Sequence, residues 1–249
     1  MINFFRKIRK QLADDNKPLK YARYAIGEIV LVVVGILIAL SINNWNEERK
    51  ANILENEFLK RLKNDLVNDT NYFQQRKEDT QVLIEQYKLF LIRSYDEQDS
   101  FEEFQELMCC IDYPPTELHI NTTTYSEMVS TGEINIIKKI GIRESVIRHY
   151  ENYNRINKHL VDYDGYSNLV LGNLDKEVKP AILLKKYFPN PEEYVGNLWE
   201  FINDSSSIEF RNLENTVAIF LEKLLVSLEY LQEIDDSTKE LLLIIDEEI

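Results

Sequence analysis

The sequence predicts an all-α protein in which a single N-terminal transmembrane helix is followed by a long-helix bundle. Three observations predict it. Residues 25–42 form a continuous apolar segment that contains one charged residue. The 249-residue chain has only 7 glycines and 6 prolines, and none of them lies within residues 36–113 or 197–249. Apolar residues recur at helical spacing through both of these stretches. So few turn residues argue against sandwiches, barrels and glycine-rich phosphate loops.

Charge divides the chain into a basic head and an acidic remainder. The whole chain has 29 basic and 43 acidic residues, a net charge of −14, whereas residues 1–24 have seven basic and two acidic residues. An acidic chain argues against nucleic acid as the partner of its bulk. We therefore predict a cytoplasmic basic segment over residues 1–24, a transmembrane helix over residues 25–42 and a periplasmic helical domain over residues 43–249.

The basic head has the pattern of an amphipathic helix. Its apolar residues share one helical face: Phe4, Phe5, Ile8 and Leu12. Its bases surround the opposite face: Arg6, Lys7, Arg9 and Lys10. This pattern predicts a short helix on the anionic inner leaflet, separated from the spanning helix by Pro18. The alternative is a positively charged tail with no contact to lipid.

The apolar segment matches the thickness of a bilayer. Eighteen helical residues span about 27 Å, and its twelve Ile, Val and Leu residues contribute roughly −4 to −7 kcal/mol to insertion. This offsets Glu28, which costs about 3 kcal/mol at mid-membrane. Arg23, Tyr24 and Trp45 flank the segment, where basic and aromatic side chains anchor a helix at the interface.

The positions of the bases predict the orientation. Seven bases precede the segment and the downstream flank is balanced, so the positive-inside rule places the N-terminus in the cytoplasm and the remainder in the periplasm, at the bacterial inner membrane. Two alternatives remain open. The segment could be a buried core helix, or a signal peptide cleaved near Ala39-Leu40-Ser41.

Glu28, Gly35 and Ala39 fall on one face of the predicted transmembrane helix. Gly35-x-x-x-Ala39 is a small-xxx-small pattern, which lets two helices approach closely and predicts self-association. Glu28 has three interpretations: its carboxylate reaches the headgroups, it takes part in helix association, or it couples proton or ion movement in a membrane complex. The last of these is the alternative function.

Two sequence stretches resemble a known family. The run YAIGEIVLVVVGILIALSINNWNEERK, residues 24–50, follows FFRKIRK, and the run TTTYSEMVSTGEINII occupies residues 122–137. Both are similar to domain-of-unknown-function family 6090, a family of uncharacterised single-pass membrane proteins of Bacteroidota. The resemblance implies a bacterial envelope protein. It implies no activity, substrate or catalytic residue.

Beyond the membrane segment the pattern predicts four main antiparallel helices. The first continues from the membrane to about residue 95, with a loosening near residues 68–71. Later helices are expected over residues 100–110, 142–179 and 192–203, and from Ile208 with a break near Asp235 or Ser237. Ser100-x-x-Glu103 and Thr124-x-x-Glu127 read as capping boxes, and Gly132 as a C-cap. Residues 134–137 are expected to form an extended link.

Residues that often carry chemistry do not converge in a known pattern. Cys109 and Cys110 are adjacent, so they form either two buried apolar groups or a strained or intermolecular disulfide. The three histidines lie at positions 119, 149 and 159 with no metal-ligand spacing. The tyrosines at positions 150, 153, 163 and 166 suit a buried helix face, with a ligand pocket as the alternative. We therefore expect no catalytic residue, metal or cofactor.

These patterns together predict a non-enzymatic, membrane-anchored envelope protein that acts as an adaptor, scaffold or sensor. The expected partners are the lipid bilayer and either a second copy of this chain or another envelope protein.

Overall fold

The computed structural model describes residues 18–108, 114, 117–174 and 196–249. All regular elements in these ranges are helical, which confirms the all-α class. The α-helices are α1 (Pro18–Arg93), α2 (Phe101–Met108), α3 (Thr123–Thr131), α4 (Ile140–Leu174) and α5 (Ile208–Asp246). Two 3-10 helices span Glu133–Ile136 and Gly196–Asn203. The predicted amphipathic helix of residues 4–12 lies outside the described residues.

Helix α1 runs without interruption from Pro18 to Arg93, as the lack of internal glycine and proline after Gly35 favours. Proline is suited to a helix start because the first turn needs no intrahelical N–H donor. The predicted loosening near residues 68–71 is wrong. Thr70 instead donates its hydroxyl to the Leu66 carbonyl at 2.9 Å, so its side chain bonds back onto an intact helix.

The chain divides into two compact units, residues 1–57 and 58–249. In the first unit the structure describes residues 18–57, all of them in α1. The second unit contains the remainder of α1 and all later elements. The predicted boundaries at residues 24 and 42 refer to the membrane and stay predictions.

In the second unit, α5 is antiparallel to both α1 and α4. Four side-chain pairs give the directions: Lys63–Asp246 and Lys77–Asp235 for α1 with α5, and His149–Ser237 and Asp164–Lys223 for α4 with α5. The described residues therefore form a bundle of three long helices with short ones around it. The fourth main helix that the sequence predicts is not found among them.

The core of this bundle contains two groups of buried side chains. One joins α1, α2 and α5 around Tyr87, Phe104 and Val217. The other joins α1, α4 and α5 around Phe73 and Ile156. Each Leu, Ile or Phe that is fully buried contributes about 2 kcal/mol relative to an exposed one, so these helical stripes hold the bundle together. The inward face that the sequence predicts for α4 is confirmed from position 146 to position 160.

The short elements depart from the predictions at several points. Ser100 caps α2 by accepting from the Glu103 N–H at 3.3 Å, as predicted. The Thr124 capping box is wrong, because Thr122 precedes α3 and makes no side-chain cap. Gly132 is confirmed as the C-cap, with φ at 79°. The expected extended link over residues 134–137 is largely the 3-10 helix Glu133–Ile136.

The last two predicted helices also differ in form. Residues 196–203 make a 3-10 helix, and the predicted start at residue 192 lies outside the described residues. Helix α5 continues through Asp235 and Ser237 without the predicted break. Asp235 is tolerated inside α5 because Lys77 and Lys239 both form ion pairs with its buried carboxylate. The predicted end of α4 at residue 179 lies outside the described residues, which include α4 as far as Leu174.

Candidate functional site

The first unit presents a continuous band of exposed apolar side chains on α1. From Ile26 to Ile42 its large aliphatic residues are 46–74% exposed. By length and composition this helix is able to cross a membrane, and none of its apolar window is buried. Branched aliphatic side chains exposed all around a helix are expected in lipid, and they count against a buried core helix.

Glu28, Gly35 and Ala39 all belong to α1, so helical geometry places them within about 20° of one face. A side chain added at Gly35 would meet nothing within 4 Å. The chain therefore leaves room beside Gly35 for a neighbouring helix. Glu28 is half-buried within α1.

Of the predicted interface anchors, Trp45 is 64% exposed on α1. The side chains of Arg23 and Tyr24 lie outside the described part of the structure. The predicted lipid-binding bases, Arg6, Lys7, Arg9 and Lys10, also precede the first described residue.

The histidines occupy three separate environments. His119 is exposed, with its ring 3.9 Å from the Glu117 carboxylate. His159 stacks on Tyr230 with 6.1 Å between ring centroids. His149 is buried between α4 and α5. Within the described residues no group of three His, Cys, Asp or Glu side chains is placed to hold a metal ion. Cys109 and Cys110 lie outside those residues.

The tyrosines of α4 split into a structural pair and an outer pair. Tyr150 and Tyr153 are buried and donate to the backbone carbonyls of Asn121 and Leu118, at 3.3 and 2.9 Å. Tyr163 is half-buried and Tyr166 is exposed. The buried pair therefore fixes the segment before α3, which is the structural role rather than the pocket alternative.

A cluster of polar side chains holds the same segment against α1. Asp69 is 1% exposed, and its Oδ1 accepts from the backbone N–H and side-chain amide of Asn121 at 2.9 and 2.7 Å. Its Oδ2 has no hydrogen-bond partner among the described residues. Burial raises the pKa of Asp69 to about 6 in spite of the two donors. Thr124 donates to Asp65 at 2.5 Å, which explains why it does not cap α3.

A groove of about 380 Å³ lies between α4 and α5. Helix α4 contributes residues at successive turns: Ser145, Arg148, His149, Glu151, Asn152 and Arg155. Helix α5 contributes residues at the matching helical spacing: Ser237, Glu240, Leu241 and Ile244. This volume lies within the range of about 300–1,000 Å³ that is typical of small-ligand sites.

His149 is the most constrained polar group of the groove. Its side chain is 3% exposed, and its Nδ1 lies 3.0 Å from the Ser237 hydroxyl. Its Nε2 has no hydrogen-bond partner among the described residues, which costs about 1–3 kcal/mol unless water or a ligand supplies one. Burial lowers the pKa of His149 to about 4, so the ring is neutral at pH 7.

The charges of the groove are of both signs. Arg155 is neutralised, since it donates to Asn152 and forms an ion pair with Glu233. In the described residues no ion pair involves Arg148, Glu151 or Glu240, although all three line the groove. Chemically, this arrangement can bind small polar molecules. Sequence reasoning missed it, because the groove exists only once α4 and α5 pack.

Comparisons with known proteins identify one relationship. A family model described as "Family of unknown function (DUF6090)" matches residues 28–178, more than half of the chain. The match begins at Glu28. It includes most of the first stretch that carries the sequence resemblance, the whole of the second stretch and all of α4, but none of α5. No curated protein and no solved structure matches.

Proposed function

We propose that this chain, which belongs to the DUF6090 family of unknown function, is a non-enzymatic membrane-anchored protein of the bacterial envelope. Its role is that of an adaptor, scaffold or sensor, and the helical bundle within residues 58–249 performs that role. The anchor is the apolar band of α1. No catalytic step, metal or cofactor forms part of this proposal.

The exposed apolar band of α1 is the observation that supports the proposal. Twelve branched aliphatic residues between Ile26 and Ile42 face outward. At about 25 cal/mol per Å² of apolar surface, leaving such a band in water is unfavourable, and a bilayer removes it from water without any protein partner. The family resemblance is compatible with this location.

The bases of residues 1–24 support an orientation with the N-terminus in the cytoplasm and the bundle in the periplasm. In this orientation Arg6, Lys7, Arg9 and Lys10 meet the anionic lipids of the inner leaflet, and Arg23, Tyr24 and Trp45 lie at the two interfaces. The acidic bundle is then repelled by the same anionic surface, which favours its placement away from the inner leaflet.

The proposed function includes self-association through the face of Glu28, Gly35 and Ala39. Bulk at Gly35 should keep two helices apart, so Gly35→Leu is expected to reduce association by about tenfold in a membrane two-hybrid reporter assay. Gly27→Leu is the matched control, since Gly27 lies about 80° around the helix from Gly35.

Membrane levels of each variant should be equal, as measured by immunoblotting of membrane fractions. If Gly35→Leu associates as strongly as the unsubstituted chain, this face does not mediate association. If both variants lose association equally, the contact is not specific to this face. A crosslinking pull-down from native membranes then identifies the envelope partner that an adaptor requires.

A further inference from the structure

The groove between α4 and α5 has an apolar base with polar side chains above it. Leu241 is buried and Ile244 is half-buried, and both belong to α5. Arg148 is exposed on α4, and Glu240 is exposed on α5. The pairing of His149 with Ser237 sets the register of the two helices, so Arg148 and Glu240 line the groove from opposite helices near the same level.

Opposite charges that line one groove without an ion pair favour a ligand that carries both charges. A simple anion would meet Arg148 but also the carboxylates of Glu151 and Glu240. A simple cation would be attracted by Glu151 and Glu240 but repelled by Arg148. A zwitterion matches both signs at once, and charge-assisted hydrogen bonds are stronger than neutral ones.

His149 adds a third requirement. His149 belongs to the groove wall, and its buried Nε2 has no hydrogen-bond partner among the described residues. The neutral imidazole offers either one donor or one acceptor there, depending on the tautomer. An amide group provides both a donor and an acceptor, so it satisfies either tautomer.

We propose that the groove binds a small zwitterion of the dipeptide class with an apolar side chain. The carboxylate pairs with Arg148 and the ammonium with Glu240 or Glu151. The apolar side chain lies against Leu241 and Ile244, and the amide is available to His149. This site goes beyond the proposed function, because it lies within residues 58–249 and does not depend on anchoring or association.

The test is isothermal titration of the full chain in detergent micelles with the dipeptide Gly-Leu. For an open groove we expect a Kd of about 0.1–1 mM. Three capped forms separate the contributions: the N-acetyl form is only an anion, the C-terminal amide is only a cation, and the doubly capped form is neutral. Each cap is expected to weaken binding by about tenfold, because it removes one charge-assisted contact.

Variants locate the site. Arg148→Gln should raise the Kd for Gly-Leu about tenfold and leave the Kd for the C-terminal amide unchanged, since that probe lacks the carboxylate. Glu240→Gln should likewise raise the Kd for Gly-Leu about tenfold and leave the Kd for the N-acetyl form unchanged, since that probe lacks the ammonium group. Lys158→Gln on α4 and Glu229→Gln on α5 are exposed controls outside the groove. Circular dichroism confirms that each variant keeps its helices.

Three results would overturn the proposal. The first is the absence of saturable binding of Gly-Leu below about 10 mM. The second is equal binding of a capped form, which would assign the groove to a simple anion, cation or neutral molecule. The third is equal loss in the control variants, which would place any binding elsewhere.

Discussion

At the scale of single residues, two buried titratable groups have pKa values displaced in opposite directions. Burial raises the pKa of Asp69 to about 6 and lowers the pKa of His149 to about 4. Both lie in the second unit, on α1 and α4. Each group prefers its neutral form in the folded chain, so the pH dependence of folding contains two opposing contributions.

The sign of each contribution follows from proton binding. Between pH 3.8 and about 6 the folded chain holds a proton on Asp69 that the unfolded chain releases, so this contribution to stability is lost as pH rises. Between pH 6.5 and about 4 the unfolded chain protonates His149 while the folded chain does not, so this contribution is lost as pH falls.

We predict that Asp69→Asn changes the pH profile of stability. The variant removes the Asp69 contribution, so its free energy of unfolding should rise relative to the unsubstituted chain by about 2 kcal/mol between pH 4 and pH 7. Urea unfolding followed by circular dichroism at a series of pH values measures the difference. A difference that is constant across this range would show that Asp69 is not displaced upward.

The ion pair between Asp235 and Lys77 inside the bundle was not predictable from the sequence. The sequence predicts a helix break near Asp235, because it shows only the residues of the same segment. In the structure its side chain is 1% exposed and pairs with Lys77, which is 13% exposed on α1. Sequence spacing gives the helical neighbour Lys239, but it gives no information about a partner that is 158 residues away.

We predict that Lys77→Ala lowers the free energy of unfolding by about 2 kcal/mol, since it leaves a buried carboxylate with Lys239 as its remaining ion-pair partner among the described residues. Lys88→Ala is the matched control, because Lys88 pairs with Glu85 at the surface of the same helix. That change should cost about 0.5 kcal/mol or less. Equal effects in chemical denaturation would contradict a special role for burial.

At the scale of elements, the end of α1 was predictable to within about two residues, whereas the length of α5 and the local caps were predictable only in part. Gly132 ends α3 in the left-handed region, as its position after the last apolar residue indicated. Thr124 and Glu127 have the spacing of a capping box, yet Thr124 donates to Asp65 and Glu127 forms an ion pair with Arg61, both on α1. A tertiary partner takes each of these side chains away from its local role.

Substitutions at two glycines test the backbone conformations at the end of α3 and inside α4. Gly132→Ala should destabilise the chain by about 1 kcal/mol, because its φ of 79° is costly for a residue with a Cβ. Gly165→Ala should be neutral or stabilise by up to about 1 kcal/mol, since Gly165 lies inside α4 with open space around it. Thermal unfolding compares them, and the reverse order would contradict the assigned backbone conformations.

At the scale of the whole molecule, the all-α class and the apolar N-terminal helix were predictable because they depend on composition and periodicity alone. Packing logic predicts four main helices, whereas the described residues contain three long helices and several short ones. The groove was not predictable, because its walls come from residues about 90 positions apart whose register is set by tertiary packing.

The central claim is that residues 25–42 hold the chain in a membrane with the later helices outside the cytoplasm. The most direct test fuses a reporter enzyme after Ile249 that is active only outside the cytosol. The membranes are then extracted with alkali, and the reporter activity is measured in the pellet and in the soluble fraction. We predict activity in the membrane pellet, and none from a matched fusion that lacks residues 25–42. An inactive fusion would contradict the orientation, and activity released into the soluble fraction would contradict the anchor.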